Sequence, residues 1–155
     1  METISFTVHG EPCGKERPRI YNNHGITPEQ TKQYEELVRM EYMAQVKGQK
    51  YFDKEILLEM RIYAYYKIPK TTPKWQIPLM KEGIIRPLKK ADWDNIGKII
   101  ADSLNEVAYH DDAQIVDGLV RKFYSSKPRV EVEIKASNCY SQKISQKNMK
   151  KELLR

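Results

Sequence analysis

The sequence predicts a single α+β domain with a small antiparallel or mixed sheet and elements in the order β-α-β-loop-α-β-β. Three observations predict it. Apolar and polar residues alternate in four short runs, the period of a half-buried strand. Two other stretches repeat apolar residues every three or four positions, the period of an amphipathic helix. Lys127-Pro128 joins the last two strand-like runs so closely that they are predicted to form an antiparallel hairpin. A chain of 155 residues is long enough to bury a real core, and no internal repeat or linker divides its first 137 residues.

The opening strand is read from Ile4, Phe6 and Val8, which alternate with Thr3, Ser5 and Thr7. The loop from Gly10 to Arg19 follows, its glycines and prolines excluding regular structure while it gathers Lys15, Arg17 and Arg19. Thr27-Pro28-Glu29-Gln30 has the form of a helix start, with Thr27 as cap, Pro28 at the first position and Gln30 completing a capping box. Tyr34, Leu37, Val38, Glu41 and Ala44 are predicted to share one face, and Gly48 to stop the helix. The next strand places Leu58, Met60, Ile62 and Ala64 on one side and Glu59, Arg61 and Tyr63 on the other. Tyr63, Tyr65 and Tyr66 are assigned to core and interface.

Residues 67–90 are rich in proline and lysine, and their length predicts a mobile functional loop. The second helix is predicted to open at Asp94 or Asn95 and to carry the stripe Ile96, Ile99, Ile100, Ser103, Leu104 and Val107. Strands are expected near Ile115–Tyr124 and Val130–Lys135, with Val130, Val132 and Ile134 pointing inward. The boundaries follow: a folded unit over 1–137 and a basic tail over 138–155, either a short helix or loose chain.

The bulk numbers exclude some classes. No apolar run approaches the roughly 20 residues that span a bilayer, so no membrane partner is expected. The N-terminus lacks the cationic and apolar segments of a signal peptide. Cys13 and Cys139 are the two cysteines and show no Cys-x-x-Cys spacing, which argues against a disulfide framework or zinc site and for a reducing, cytoplasmic setting. A formal net charge of +6 and a pI near 9.2 permit a nucleic-acid partner without establishing one.

The chemistry concentrates in Lys89-Lys90-Ala91-Asp92-Trp93-Asp94-Asn95-Ile96-Gly97-Lys98, followed by Asp111-Asp112. Crowded carboxylates need positive charge to hold them, and Mg²⁺ takes oxygen from one or two carboxylates, phosphates and water. If Asp92–Asp94 is extended, the two side chains share a face with Cα atoms about 6.6 Å apart. Lys98 lies one helical turn, about 6 Å, beyond Asp94, where it can balance the carboxylates or contact a phosphate. Asp102, a turn further, is predicted to pair with Lys98. The seven residues from Asn105 to Asp112 are long enough to cover the roughly 15 Å back to Asp94. Each group also has a commonplace use: Asp caps helices, Asp-Asp forms turns, and surface lysines are solvated. Trp93 either packs or stacks on an unpaired base. His9, His24 and His110 share no metal-ligand spacing, and neither a Ser-His-Asp order nor a glycine-rich phosphate loop is present.

These residues together resemble the RusA family of Holliday-junction resolvases. The likeness runs from Gly10-x-Pro12-x-Gly14-Lys15-x-Arg17-Pro18-Arg19 through Asp92-x-Asp94-Asn95-x-x-Lys98-x-x-x-Asp102 to Asp111-Asp112-Ala113-Gln114-Ile115-Val116 and Lys122. It implies a homodimeric, Mg²⁺-dependent endonuclease of phage or prophage origin that resolves four-way DNA junctions by paired nicks, with Mn²⁺ as a substitute ion. It further implies that Asp92, Asp94 and Asp112 bind metal and that Lys98 assists catalysis, Asp111 being the weaker member of its pair. Lys15, Arg17, Arg19, Lys89 and Lys90 are the expected DNA contacts. Two alternatives remain open: a non-catalytic DNA-binding module, and a nuclease acting on flaps or forks.

Overall fold

The computed structural model describes residues 3–26, 28–48 and 50–154. Four strands form one mixed sheet: β1 (Thr3–His9), β4 (Leu58–Lys67), β5 (Ile115–Ser125) and β6 (Arg129–Ala136), in the spatial order β1-β6-β4-β5. β6 runs antiparallel to both β1 and β4, whereas β5 runs parallel to β4. The predicted strands are all present, but the predicted final hairpin is not, because β4 lies between β5 and β6. The physical reason is burial. β6 places Val130, Val132 and Ile134 in the core and suits a central position, while β5 carries Asp117 and Gly118 in its exposed half and occupies an edge.

Helix α1 (Glu29–Gln45) and helix α3 (Trp93–Ser103) pack against the sheet. The buried stripe of α1 is Thr31, Tyr34, Val38 and Tyr42, a 3-4-4 spacing. The predicted face therefore holds at Tyr34 and Val38 and fails at Glu41 and Ala44, where Tyr42 takes the inward position and meets Phe6 edge-on at 5.4 Å. Thr27, the predicted cap, lies outside the described residues, as does the side chain of Arg19. In α3, Ile96, Ile99 and Ile100 are fully buried, each contributing about 1.5–3 kcal/mol of hydrophobic stabilisation.

Three small elements interrupt stretches read as loop. Strands β2 (Arg19–Tyr21) and β3 (His24–Ile26) form a hairpin across Asn22-Asn23, both at positive φ, as a two-residue type I′ turn requires. The segment 67–90, read as a mobile functional loop, contains helix α2 (Gln76–Lys81). It ends in a Schellman arrangement: Gly83, at φ +76°, donates to Met80 O, and Ile84 donates to Leu79 O. The basic tail contains α4 (Gln146–Leu153). No helix among the described residues is long and apolar enough to cross a membrane.

Candidate functional site

Asp92 is the first residue to consider, because it sits at the N-cap of α3 with extended backbone (φ −68°, ψ 153°) and yet makes no capping hydrogen bond. The helix opens one residue earlier than predicted, so Asp92 and Asp94 do not lie on one extended face. Asp94 is instead in the first helical turn. Among the described residues, the carboxylates of Asp92 and Asp94 and the ammonium of Lys98 have no hydrogen-bond or ion-pair partner. All three line an open cleft of about 790 Å³ together with Lys90, Lys15 and Arg17.

The other wall of the cleft is the loop 10–18. It is stitched to α3 by Lys15 N donating to Asn95 O at 2.9 Å. Gly14 permits this approach: a Cβ there would lie 2.4 Å from Ala91 Cβ and 3.1 Å from Asn95 Cβ. Lys15 then reaches inward, its ammonium bonding Glu35 and standing 3.4 Å from Asp102 Oδ2. Burial would lower the Lys15 pKa, but Glu35 and then Asp102 outweigh it and hold the ammonium above its ordinary value. Asp102 is thus paired with Lys15, not with Lys98 as predicted. Lys15, expected to contact DNA, is committed to two carboxylates.

Asp112 returns to α3 along the predicted path, and several polar groups fix where it lands. Tyr109, buried beneath the connection, donates to Ala101 O at 2.6 Å. Asn105 Oδ1 accepts from Asp112 N at 2.8 Å. Asp111 caps the 3-10 turn Asp112–Gln114 by accepting from Ala113 N, and Gln114 completes the capping box. The buried Gln114 amide also accepts from His110 N and Asp111 N and donates to Asp53 O and Ile56 O, at 2.9–3.0 Å throughout. With Asp111 used as a cap, Asp112 is left to face α3. It shares an apolar groove of about 390 Å³ with Asp94, Lys98 and the exposed Trp93.

Electrostatics separate the adjacent pair. The Ala113 amide, then a hydrogen bond with Asp112, lowers the Asp111 pKa. Partial burial, then the neighbouring carboxylates of Asp102 and Asp111, push Asp112 up to about 6. Such crowding leaves the site short of positive charge. Hard carboxylate oxygens that lack protein partners fit a divalent cation by chemistry. Among the described residues, no group of three or more His, Cys, Asp or Glu side chains is close enough to hold a metal ion. The fit is therefore to an ion that uses one or two carboxylates and completes its shell with water or phosphate, the habit of Mg²⁺.

Sequence reasoning missed Glu35, Asn105, Tyr109 and Gln114. Only Gln114 carried a local signal, standing three residues after Asp111 in a capping-box spacing. Of the other expected DNA contacts, Lys89, Lys90 and Arg17 are exposed, and the side chain of Arg19 lies outside the described residues.

A family model described as Endodeoxyribonuclease RusA matches residues 9–135, a span that contains the loop, the α3 carboxylates and the Asp111-Asp112 turn. The chain is also similar to the uncharacterized protein YqaN of Bacillus subtilis (strain 168), with 34% identity over 139 residues, 87% of this chain and 97% of that relative. Matched over its whole candidate site, this chain belongs to the RusA family of endodeoxyribonucleases, which act on branched DNA junctions.

Proposed function

We propose that the protein is a Mg²⁺-dependent endodeoxyribonuclease that resolves Holliday junctions by paired nicks, working in the cytoplasm as a homodimer of phage or prophage origin. Asp92, Asp94 and Asp112 would supply its carboxylate ligands, one or two at a time with water or phosphate completing the shell, and Mn²⁺ would substitute. The observation that carries this reading is the set of unpartnered groups at the start of α3, Asp92, Asp94 and Lys98, beside an Asp112 crowded by Asp102 and Asp111. A purely structural role for these carboxylates would have used them as caps or ion-pair partners.

When bound, such an ion supplies Lewis acidity to a phosphate and lowers the pKa of a water. The chain's own residues do the rest. Lys98, with no carboxylate partner among the described residues, offers its ammonium to the negative charge that builds on the scissile phosphate. Lys15 pairs with Asp102 and Glu35 behind the site and offsets part of their charge. Arg17, Lys89 and Lys90 hold the phosphate backbone at the mouth of the cleft, and Arg19 is assigned the same role. An isologous pair of subunits presents two identical sites to two symmetry-related strands of the junction, as paired nicks require.

The test is a labelled four-way junction, a linear duplex and a flap, each incubated with Mg²⁺ or EDTA. Paired nicks in the junction with Mg²⁺ alone are expected, and Asp94→Asn should lose cleavage by at least about 100-fold while keeping junction affinity. Cleavage by Asp94→Asn at the wild-type rate would remove Asp94 from the mechanism. Metal-independent binding with no nicked product would favour a DNA-binding module instead. Equal cutting of junction and flap would broaden the substrate.

A further inference from the structure

Near the cleft, five cations are positioned by aromatic rings, backbone carbonyls or chain proximity rather than by carboxylates. Lys90 lines the cleft itself. Beside it, the Lys89 ammonium lies 5.5 Å from the centroid of the Tyr66 ring, and the Lys122 ammonium lies 5.4 Å from that ring and donates to Lys89 O. Arg86 Nε donates to Lys122 O at 2.9 Å, and its guanidinium stands 4.4 Å from the Phe123 ring. Arg121 covers the same ring from 5.0 Å. Among the described residues, none of the five forms an ion pair.

Their order in space is set by the edge strand. Successive side chains of β5 point to opposite faces, so Lys122 shares the Tyr66 face with α1 and α3, while Arg121 and Phe123 lie on the opposite face, where Gly83 at the end of α2 approaches the Phe123 ring. Among the described residues no fifth strand follows β5 in the sheet, and it is Arg86 that bonds its backbone at Lys122, bridging the two sides. Cation–π contact holds each guanidinium at low entropy cost, and the terminal N–H groups of both arginines, left without protein acceptors among the described residues, match phosphate.

We propose that these residues form a continuous phosphate track. It would carry the backbone of one duplex DNA arm out of the active-site cleft, past Lys90 and Lys89, over the edge of β5 at Lys122 and Arg86, and onto the far face at Arg121. The inference deepens the nuclease reading and rests on it for the identity of the polyanion. Charge complementarity selects the occupant: a run of unpaired cations along an edge strand suits a polyanion of regular charge spacing. Arg86 and Arg121 are the members that no cleft-centred account requires.

Fluorescence anisotropy of a labelled four-way junction in EDTA, measured across a salt series, tests the track. Each lost phosphate contact should make the slope of log K against log[salt] shallower by about 0.9. Arg121→Gln, at an exposed position without hydrogen bonds, should lose about one contact and Arg86→Gln/Arg121→Gln about two. The corresponding lysine variants should restore the slope. Weaker binding with an unchanged slope in both glutamine variants would mean lost packing and would overturn the track, as would unchanged binding. Cleavage by the wild-type protein in Mg²⁺ is scored separately. A wild-type enzyme that cuts, with variants of unaltered slope, refutes the track alone. An inactive wild type with shallower variants refutes the nuclease reading alone.

Discussion

The ammonium of Lys15 stands between Glu35 and Asp102, with only about a quarter of its side chain exposed, and this predicts how its removal will read out. Lys15→Gln is expected to lower stability by about 1 kcal/mol, the scale of a partly exposed ion pair. It should leave the salt slope of junction binding unchanged. Arg17→Gln, at an exposed cleft position, should do the reverse: little change in stability and a shallower slope. Paired thermal melts and salt titrations of the two variants decide between a structural and a DNA-contacting role for each. Asp112 poses the opposite trade. Asp112→Asn removes one charge from a group crowded by Asp102 and Asp111. In EDTA at pH 7.5 it should melt higher than wild type, by about 2–4 °C for each kcal/mol of relieved repulsion, while losing junction cleavage. A lower melting temperature would show that the crowding is not repulsive.

At the scale of elements, the site depends on two connections docking onto α3. The first is the loop 10–18, whose approach is limited by Gly14. Gly14→Ala would bring a Cβ within 2.4 Å of Ala91 Cβ, and neither backbone can yield without breaking the Lys15–Asn95 bond. A loss of about 1–3 kcal/mol is expected, together with slower cleavage. Gly25→Ala provides the control, because its nearest neighbour would be Pro18 Cβ at an ordinary 3.6 Å. Chemical denaturation of both variants checks the contrast. The second connection runs from Asn105 to Gln114. Its capping box was legible as an Asp-x-x-Gln spacing, but the two long-range hydrogen bonds of Gln114 were not, because they reach carbonyls about sixty residues away. The β2–β3 hairpin was legible in principle from Asn22-Asn23, residues that tolerate positive φ. Helix α2 was obscured by the prolines that surround it and by Pro78 within it.

For the whole molecule, the buried phenols set the alkaline limit of stability. Burial pushes Tyr66 up to about 12, even though its hydroxyl donates to Ala91 O at 3.1 Å. Burial raises Tyr34 and Tyr109 as well. A phenol whose folded pKa exceeds its unfolded value of about 10 binds more protons in the folded state between those limits. Its contribution is therefore complete below pH 10 and is lost as pH rises from 10 through 12. The denaturation midpoint should be flat from pH 8 to 9.5 and fall above 10, with the last of the ten tyrosines ionising only as the protein unfolds. Ionisation of all ten near pH 10 in a folded protein, followed by phenolate absorbance, would contradict the burial of these three.

Local pattern was enough to determine the four strands of the main sheet, the inward stripe of α3 from Ile96 to Ser103, and the clustering of Asp92, Asp94 and Lys98 within two helical turns. Those properties depend on neighbours a few residues apart, and the periods of helix and strand convert such spacing directly into a face. Tertiary structure alone decided the strand order, the pairing of Asp102 with Lys15 instead of Lys98, and the anchoring of Gln114 to the Asp53 and Ile56 carbonyls. Each of these turns on which distant side chain arrives first at a shared point. Many partners in a basic, charge-rich chain are chemically equivalent, and only the packed fold chooses among them.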